Sequence, residues 1–220
     1  MSWLAFLRKG LAASAQAADP EQAAAERLEI PLFPLSGVLF PGGLLSLKVF
    51  EQRYLDMAAA CMRDGTPFGV CLIASGKEVG AAAVPHQVGT LAYIDSGDMP
   101  QLGILLLEVR GRRRFRILTQ SVEADGLLRA QVELLAEPGR QEVPLAQQGL
   151  LPLLRKIASD LGPARMPEPH AFDDATWVGY RLTEIVPVQP LAKQRLLELQ
   201  DPVARLEILH AYLAQRKLVV

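Results

Sequence analysis

Residues 128–144 decide how the chain is organised, and they read LRAQVELLAEPGRQEVP. Up to Leu134, apolar and polar side chains alternate, which is typical of a strand with one buried and one solvated face. Residues 137–144 then combine prolines and a glycine with polar side chains, a composition that ends either a strand or a helix. We therefore predict a β-rich region before this linker and a different architecture after it.

The region before the linker has short apolar segments separated by Gly and Pro, as strands and turns do. Its helical stretch, residues 51–62, places Tyr54, Ala58 and Cys61 on one face. We interpret Asp95–Asp98 as a tight hairpin turn, because Asp, Ser and Gly are turn residues. We expect a small, partly closed barrel over residues 29–136, with strands at 44–50, 68–74, 90–94, 103–118 and 128–135.

The region after the linker carries apolar residues at helical spacing. Two helix starts are clear: Pro190 suits a first turn, and Asp201 is an N-cap before Pro202. Asp173-Asp174 is interpreted as another N-cap. The sequence thus predicts an α+β protein whose helical bundle spans residues 145–220, with helices at 145–161, 174–186, 190–199 and 202–216.

Composition and charge exclude several classes. Of 220 residues, 50% are hydrophobic and 21% charged, so the chain can bury a large core. With 23 basic and 24 acidic residues, no global field attracts polyanions or an anionic membrane. The apolar stretch 3–7 precedes Arg8 and Lys9, whereas a secretory signal puts its charge first. We expect residues 1–28 to be a loosely ordered extension. For the whole protein we expect no membrane association and a cytoplasmic location.

Catalytic and metal-binding motifs are missing from the sequence. Gly76-Lys77 is followed by Glu78, so it is not a phosphate-binding loop. Neither GxSxG nor HExxH occurs. The histidines (His86, His170 and His210) and the cysteines (Cys61 and Cys71) share no ligand spacing. We expect no catalytic residue, no metal and no cofactor.

A cluster of arginines follows the predicted strand 103–118. Its alternating positions predict four guanidinium groups on one face, with Val109, Phe115 and Ile117 on the other. Such a face can bind phosphates, but acidic residues on neighbouring segments can also pair with it. We favour the solvated, paired face over nucleic-acid binding and keep anion binding open for Arg110, Arg112, Arg114 and Arg116.

Three segments in order, IPLFPL at 30–35, VLFPG at 38–42 and LKVFEQRY at 47–54, carry a resemblance to a known family. It continues through residues 88–90, 109–117 and 193–206. This pattern resembles the Lon protease N-terminal domain family, in the form of its stand-alone bacterial members and of the cereblon branch. The resemblance covers residues 28–213.

The resemblance implies a PUA-like β-barrel followed by a helical bundle, used to recognise unfolded or degron-bearing proteins. The sequence contains neither the AAA+ ATPase nor the Ser/Lys peptidase module of the full protease. The resemblance therefore implies a non-enzymatic substrate-recognition or adaptor module. Such a module binds exposed polypeptide segments and has a separate ATP-dependent protease as a partner. The alternative is RNA binding through the arginine face, because PUA-like barrels elsewhere bind RNA.

Candidate peptide-binding residues lie close to turns in the matched segments. Large side chains there either line an apolar groove or pack in the core. The polar residues of the motifs, Arg53, Tyr54, Arg114 and Arg116, either brace the barrel by internal hydrogen bonds or face a partner. The candidate peptide site consists of Phe33, Phe40, Arg53, Tyr54 and Phe68.

Overall fold

The computed structural model describes residues 26–219, which divide into two compact units between Ala136 and Glu137. The first 25 residues of the predicted extension lie outside the described residues. Arg27 and Leu28, at its end, belong to the first strand.

The first unit is a mostly antiparallel sheet with one helix. Its elements are β1 (Arg27–Leu35), β2 (Leu44–Val49), α1 (Gln52–Asp64), β3 (Phe68–Ser75), β4 (Val84–Pro85), β5 (Val88–Gln101), β6 (Ile104–Val122) and β7 (Leu128–Leu134). The strands follow the order β1-β7-β6-β5-β3-β4, and β1 also pairs with β3 in parallel. These pairings close β1, β7, β6, β5 and β3 into a ring, while β2 lies outside it and pairs with β6.

The ring of strands encloses its own apolar cluster, in which Phe115 is fully buried. A Cβ atom added at Gly69 or at Gly89 would lie 2.7 Å from the ring of Phe115. Glycine at these positions therefore makes room for the phenyl ring. The cluster consists of Ile30, Leu32, Cys71, Leu91, Phe115, Ile117, Leu128, Ala130, Val132 and Leu134.

A second cluster packs α1 and β2 against other residues of the sheet. Tyr54, Ala58 and Cys61 of α1 are all buried in it, which confirms the predicted helical face. The helix ends at Gly65, whose φ of 65° is the left-handed conformation that glycine adopts without strain. At its other end, α1 begins at Gln52, separated by only two residues from the end of β2 at Val49.

The hairpin turn predicted at Asp95–Asp98 is wrong. These residues belong to β5, where Ser96 pairs with Glu108 and Asp98 with Leu106 of β6. The connection between the two strands lies further on, near Gly103, whose φ is 80°. Pairing with the long β6, with register shifts on both sides of Ser96–Asp98, overrides the local turn preference of Asp, Ser and Gly.

The second unit is helical. The predicted helix 145–161 is instead a 3-10 turn, Leu145–Gln147, followed by α2 (Leu150–Leu161); the later helices are α3 (Ala175–Ile185), α4 (Pro190–Glu198) and α5 (Pro202–Gln215). The predicted caps are present: the Asp174 carboxylate accepts from the backbone N–H of Thr176, and Asp201 caps α5. Val143, in the predicted linker, is buried in the core of this unit.

A mostly antiparallel sheet and a separate set of helices confirm the predicted α+β class. No helix within residues 26–219 combines the length and the apolar character needed to cross a bilayer.

Candidate functional site

An open groove of about 400 Å³ lies beside β2 in the first unit. It is framed by the end of β1, by β2, by the start of α1 and by the loop that follows β3. Its lining residues are Phe33, Leu35, Ser36, Gly37, Leu45, Ser46, Leu47, Lys48, Val49, Phe50, Glu51, Tyr54, Glu78 and Val79.

Two stacked aromatic rings form the base of the groove. The ring centroids of Phe33 and Tyr54 are 4.0 Å apart and the planes are inclined by 18°. Both side chains are mostly buried but still contribute to the groove wall. Burial raises the pKa of the Tyr54 phenol, against the opposing effect of the Arg53 guanidinium. The phenol is therefore neutral at physiological pH and the base of the groove is uncharged.

The rim adds exposed apolar surface. Phe50 is 50% and Val79 is 55% exposed, both high values for large apolar side chains. Sequence reasoning missed both as site residues. Phe50 lies inside the segment 47–54 that carries the family resemblance, so the sequence did contain a signal for it. Val79 lies in a polar loop, where no sequence pattern indicates a binding residue.

The charged residues of the groove differ in what they contact. The Glu51 carboxylate lies 2.9 Å from the Arg53 guanidinium, and Glu78 accepts a hydrogen bond from the backbone N–H of Ser36. Lys48 is exposed and forms no ion pair within residues 26–219. The groove thus offers one available positive charge beside an apolar surface.

Arg53 braces the groove from behind. Its side chain is 7% exposed and donates to the carbonyl oxygens of Gly126 at 2.9 Å and Gly80 at 2.6 Å, besides Glu51. These contacts tie α1 to two separate loops. Of the two interpretations open for Arg53, the structure supports the bracing role.

The other candidate peptide-binding residues do not line the groove. Phe40 and Phe68 are fully buried. The ring of Phe68 packs 6.2 Å from that of Phe33, centroid to centroid. The structure therefore brings Phe33 and Tyr54 together in the groove wall and places Phe40 and Phe68 beneath the surface.

The prediction that four arginines share one open face is wrong. The register between β5 and β6 shifts between the pairs Ala92–Gly111 and Thr90–Arg114, so β6 carries one extra residue there. Arg114 is fully buried and donates to the carbonyl oxygen of Ala136 at 3.4 Å.

The remaining arginines of the cluster are accessible to different extents. Arg110 lies 2.8 Å from the Asp95 carboxylate, and the guanidinium of Arg112 is 5.8 Å from the centroid of the Tyr93 ring. Arg116 is exposed. Anion binding by Arg110, Arg112 and Arg116 stays a prediction. The first two of these side chains already have partners within the protein.

The two cysteines and the three histidines do not line the groove. Cys61 and Cys71 are free and buried, and burial raises the pKa of both thiols. Within residues 26–219, no group of three His, Cys, Asp or Glu side chains is arranged to hold a metal ion.

Comparison with known proteins decides the family. Residues 29–215 match the family model for the substrate-binding domain of the ATP-dependent protease La (LON). The chain belongs to this family. The recognised resemblance is therefore confirmed, and the matched domain is described as a substrate-binding module.

Two solved structures of Lon N-terminal domains are similar to this chain. A crystal structure of a Lon N-terminal domain protein from Xanthomonas campestris is 36% identical, with a TM-score of 0.71, covering 84% of this chain and 98% of that one. The N-terminal domain of the Mycobacterium avium complex Lon protease shares the fold, with 17% identity, a TM-score of 0.59 and coverage of 85% and 98%.

A full-length relative is also similar. Lon protease 1 of Bdellovibrio bacteriovorus is 27% identical over 135 residues, which is 60% of this chain. The match spans 17% of the length of that protease.

Proposed function

We propose that this chain is a non-enzymatic recognition module that binds exposed apolar segments of other proteins in the groove beside β2. The observation that carries the proposal is the apolar surface left open there, with Phe50 and Val79 half-exposed above the stacked Phe33 and Tyr54. Membership of a substrate-binding domain family supports it.

The size of the groove favours weak, reversible binding. A volume of about 400 Å³ accommodates a few side chains of a client protein. Burying one large apolar side chain contributes roughly 1.5–3 kcal/mol, and association itself costs roughly 4–15 kcal/mol. Two or three side chains contribute roughly 3–9 kcal/mol, so after the association cost the net binding free energy is at best about −5 kcal/mol. This corresponds to a dissociation constant of roughly 0.2 mM or weaker, which suits a module that must release its clients.

We further propose that the clients are unfolded or flexible protein segments in the cytoplasm. Such segments expose apolar side chains that folded proteins bury. Family membership supports delivery of these clients to a separate ATP-dependent protease as a further part of the proposal, which also includes the PUA-like character of the barrel.

RNA binding is supported less well. A phosphate-binding face needs several guanidinium groups pointing to one side, yet Arg114 is buried and Arg110 is paired with Asp95. Acidic partners lower the positive potential of the face.

The proposal is tested with a fluorescent peptide derived from a denatured client, titrated with the whole protein and followed by anisotropy. Val79→Asp places a charge in the groove rim without touching the core and should weaken binding at least about tenfold. Leu102→Asp, at a side chain that is 94% exposed and outside the groove, is the matched control and should stay within about twofold.

Salt separates the two functions. Apolar binding should change little between about 50 and 200 mM salt, whereas phosphate contacts by three arginines give a log-log slope of roughly −2 on a single strand. Equal binding by the Val79→Asp protein, or displacement of the peptide by RNA with that slope, would contradict the proposed function.

A further inference from the structure

We infer that a client segment binds in the extended conformation and adds a strand to the free edge of β2. This inference rests on the proposed function and names the conformation and the side-chain pattern of the client. Three observations carry it: an unpaired strand edge, a groove that follows that edge, and an available lysine beside it.

The outer edge of β2 is unpaired within the described part of the chain. Its residues Leu44–Val49 pair antiparallel with β6, from Leu44 opposite Arg110 to Val49 opposite Leu105, and with no other described strand. A strand with one neighbour presents a row of unpaired N–H and C=O groups on its other side.

The groove runs along this edge rather than over one face of β2. Successive side chains of a strand point to opposite faces. All six consecutive residues 45–50 nevertheless line the groove. A cavity that contacts both sets of side chains must follow the edge between them, where the backbone is accessible.

The pairing pattern shows which backbone groups are available. The N–H of Gly111 donates to the carbonyl oxygen of Gly43 at 2.9 Å, so position 43 directs its carbonyl towards β6. Inward and outward backbone groups alternate along an antiparallel strand. Leu44, Ser46 and Lys48 therefore direct their backbone groups away from β6, and the last two of these residues line the groove.

The opposite wall also suits an extended segment. β1 pairs with β7 only as far as Leu32, and beyond that point its residues pair with β3 alone. Phe33 and Leu35, from this last part of β1, line the groove. A segment paired with β2 would direct every second side chain onto the surface formed by Phe33 and Tyr54.

The available charge specifies the client further. Lys48 is exposed beside the groove without an ion pair to a described residue, while Glu51 and Glu78 are engaged by Arg53 and by the backbone of Ser36. Oppositely charged side chains that face each other across two strands stabilise the pair. The client is thus a β-forming segment with large apolar residues at alternate positions and an acidic residue between them.

The test uses peptides that differ only in their backbone. The probe is an eight-residue peptide that alternates Phe or Leu with Thr and carries one Glu at a Thr position. Two analogues are N-methylated at alternate residues, one at the odd and one at the even positions. Because only one edge of the peptide meets β2, methylating that edge removes hydrogen bonds and should weaken binding at least about tenfold, while the other analogue should stay within about threefold.

The outcomes separate the two proposals. Equal binding of the two analogues, whether both strong or both weak, overturns strand addition. If Val79→Asp still abolishes binding of the unmethylated probe, the groove remains the site and only its mode of binding is wrong. If Val79→Asp leaves that binding unchanged, the proposed function itself fails.

A charge exchange tests whether an acidic client residue faces Lys48. Lys48→Glu should weaken binding of the probe that carries Glu by about threefold to tenfold, and it should strengthen binding of a probe in which that Glu is replaced by Lys. The control is Lys77→Glu, an exposed change in the loop after β3 that does not line the groove and should alter the binding of neither probe. Equal responses of both probes to Lys48→Glu overturn the assignment of an acidic client residue.

Discussion

The ring of Phe33 on β1 stacks on the ring of Tyr54 on α1, with centroids 4.0 Å apart. This pair joins β1 to the first helix, and its outer surface forms the base of the candidate groove. The same two side chains therefore serve the core of the first unit and the binding surface. Changes at this pair must be separated into effects on folding and effects on binding.

Tyr54 allows that separation. Tyr54→Ala removes a ring that is 96% buried and should lower the free energy of unfolding by about 3–5 kcal/mol, because the stack and the surrounding packing are lost. Tyr54→Phe keeps the ring and should retain both stability and peptide binding. Urea denaturation followed by circular dichroism measures the difference, and an unchanged midpoint for Tyr54→Ala would show that the stack does not support the fold.

Arg53 should stabilise the first unit through its hydrogen bonds rather than through client contact. Arg53→Met keeps much of the volume but leaves the carbonyl groups of Gly80 and Gly126 and the Glu51 carboxylate without this donor. We expect a loss of about 3–5 kcal/mol in the free energy of unfolding. Arg63→Met on the same helix, at a side chain that is 72% exposed, is the control and should leave the denaturation midpoint nearly unchanged. Similar denaturation midpoints for the two variants would refute the bracing role.

The close approach of two backbone segments at Gly111 predicts a third effect. A Cβ atom at this position would collide with the carbonyl oxygen of Phe40, and a backbone atom cannot swing aside. Gly111→Ala should therefore destabilise the unit by about 1–3 kcal/mol or more. Gly37→Ala, where nothing lies within 4 Å of the added atom, should stay within about 0.5 kcal/mol. Thermal melting measures both effects, and equal melting temperatures for the two variants would contradict the predicted collision.

The sequence contained the signals for most elements but not for their register. β2, α1 and the caps at Asp174 and Asp201 follow from apolar spacing and from residue types that act within a few positions. The extra residue in β6 near Gly111 depends on pairing with β5 and has no such signal. Because this shift changes the alternation of faces, the predicted arginine face could not be placed correctly without the partner strand.

The candidate site shows the same limit. Aromatic residues near turns suggested a groove, but which of them reach it depends on the packing of α1 and β2 against the barrel. Phe40 and Phe68 have the same composition signal as Phe33 and yet are fully buried. Val79 reaches the groove because the loop after β3 folds beside β1, a contact between residues more than forty positions apart, as the hydrogen bond from Ser36 to Glu78 shows.

In the helical unit, the buried carboxyl group of Glu184 should make the free energy of unfolding depend on pH. Its carboxylate lies 3.0 Å from the guanidinium of Arg181, and burial raises its pKa to about 7 although Arg181 and Lys193 oppose the shift. In the unfolded chain the pKa returns to about 4.3. Between these values the folded protein holds more protons than the unfolded one, so the free energy of unfolding should fall as the pH rises from about 4.5 to about 7, by roughly 1–3 kcal/mol. Glu184→Gln does not titrate and should lose this dependence, whereas Glu207→Gln, an exposed change on α5, should keep it. Urea denaturation of the three proteins from pH 4.5 to 8 measures the slopes, and parallel curves for all three would show that Glu184 is ionised throughout this range in the folded state.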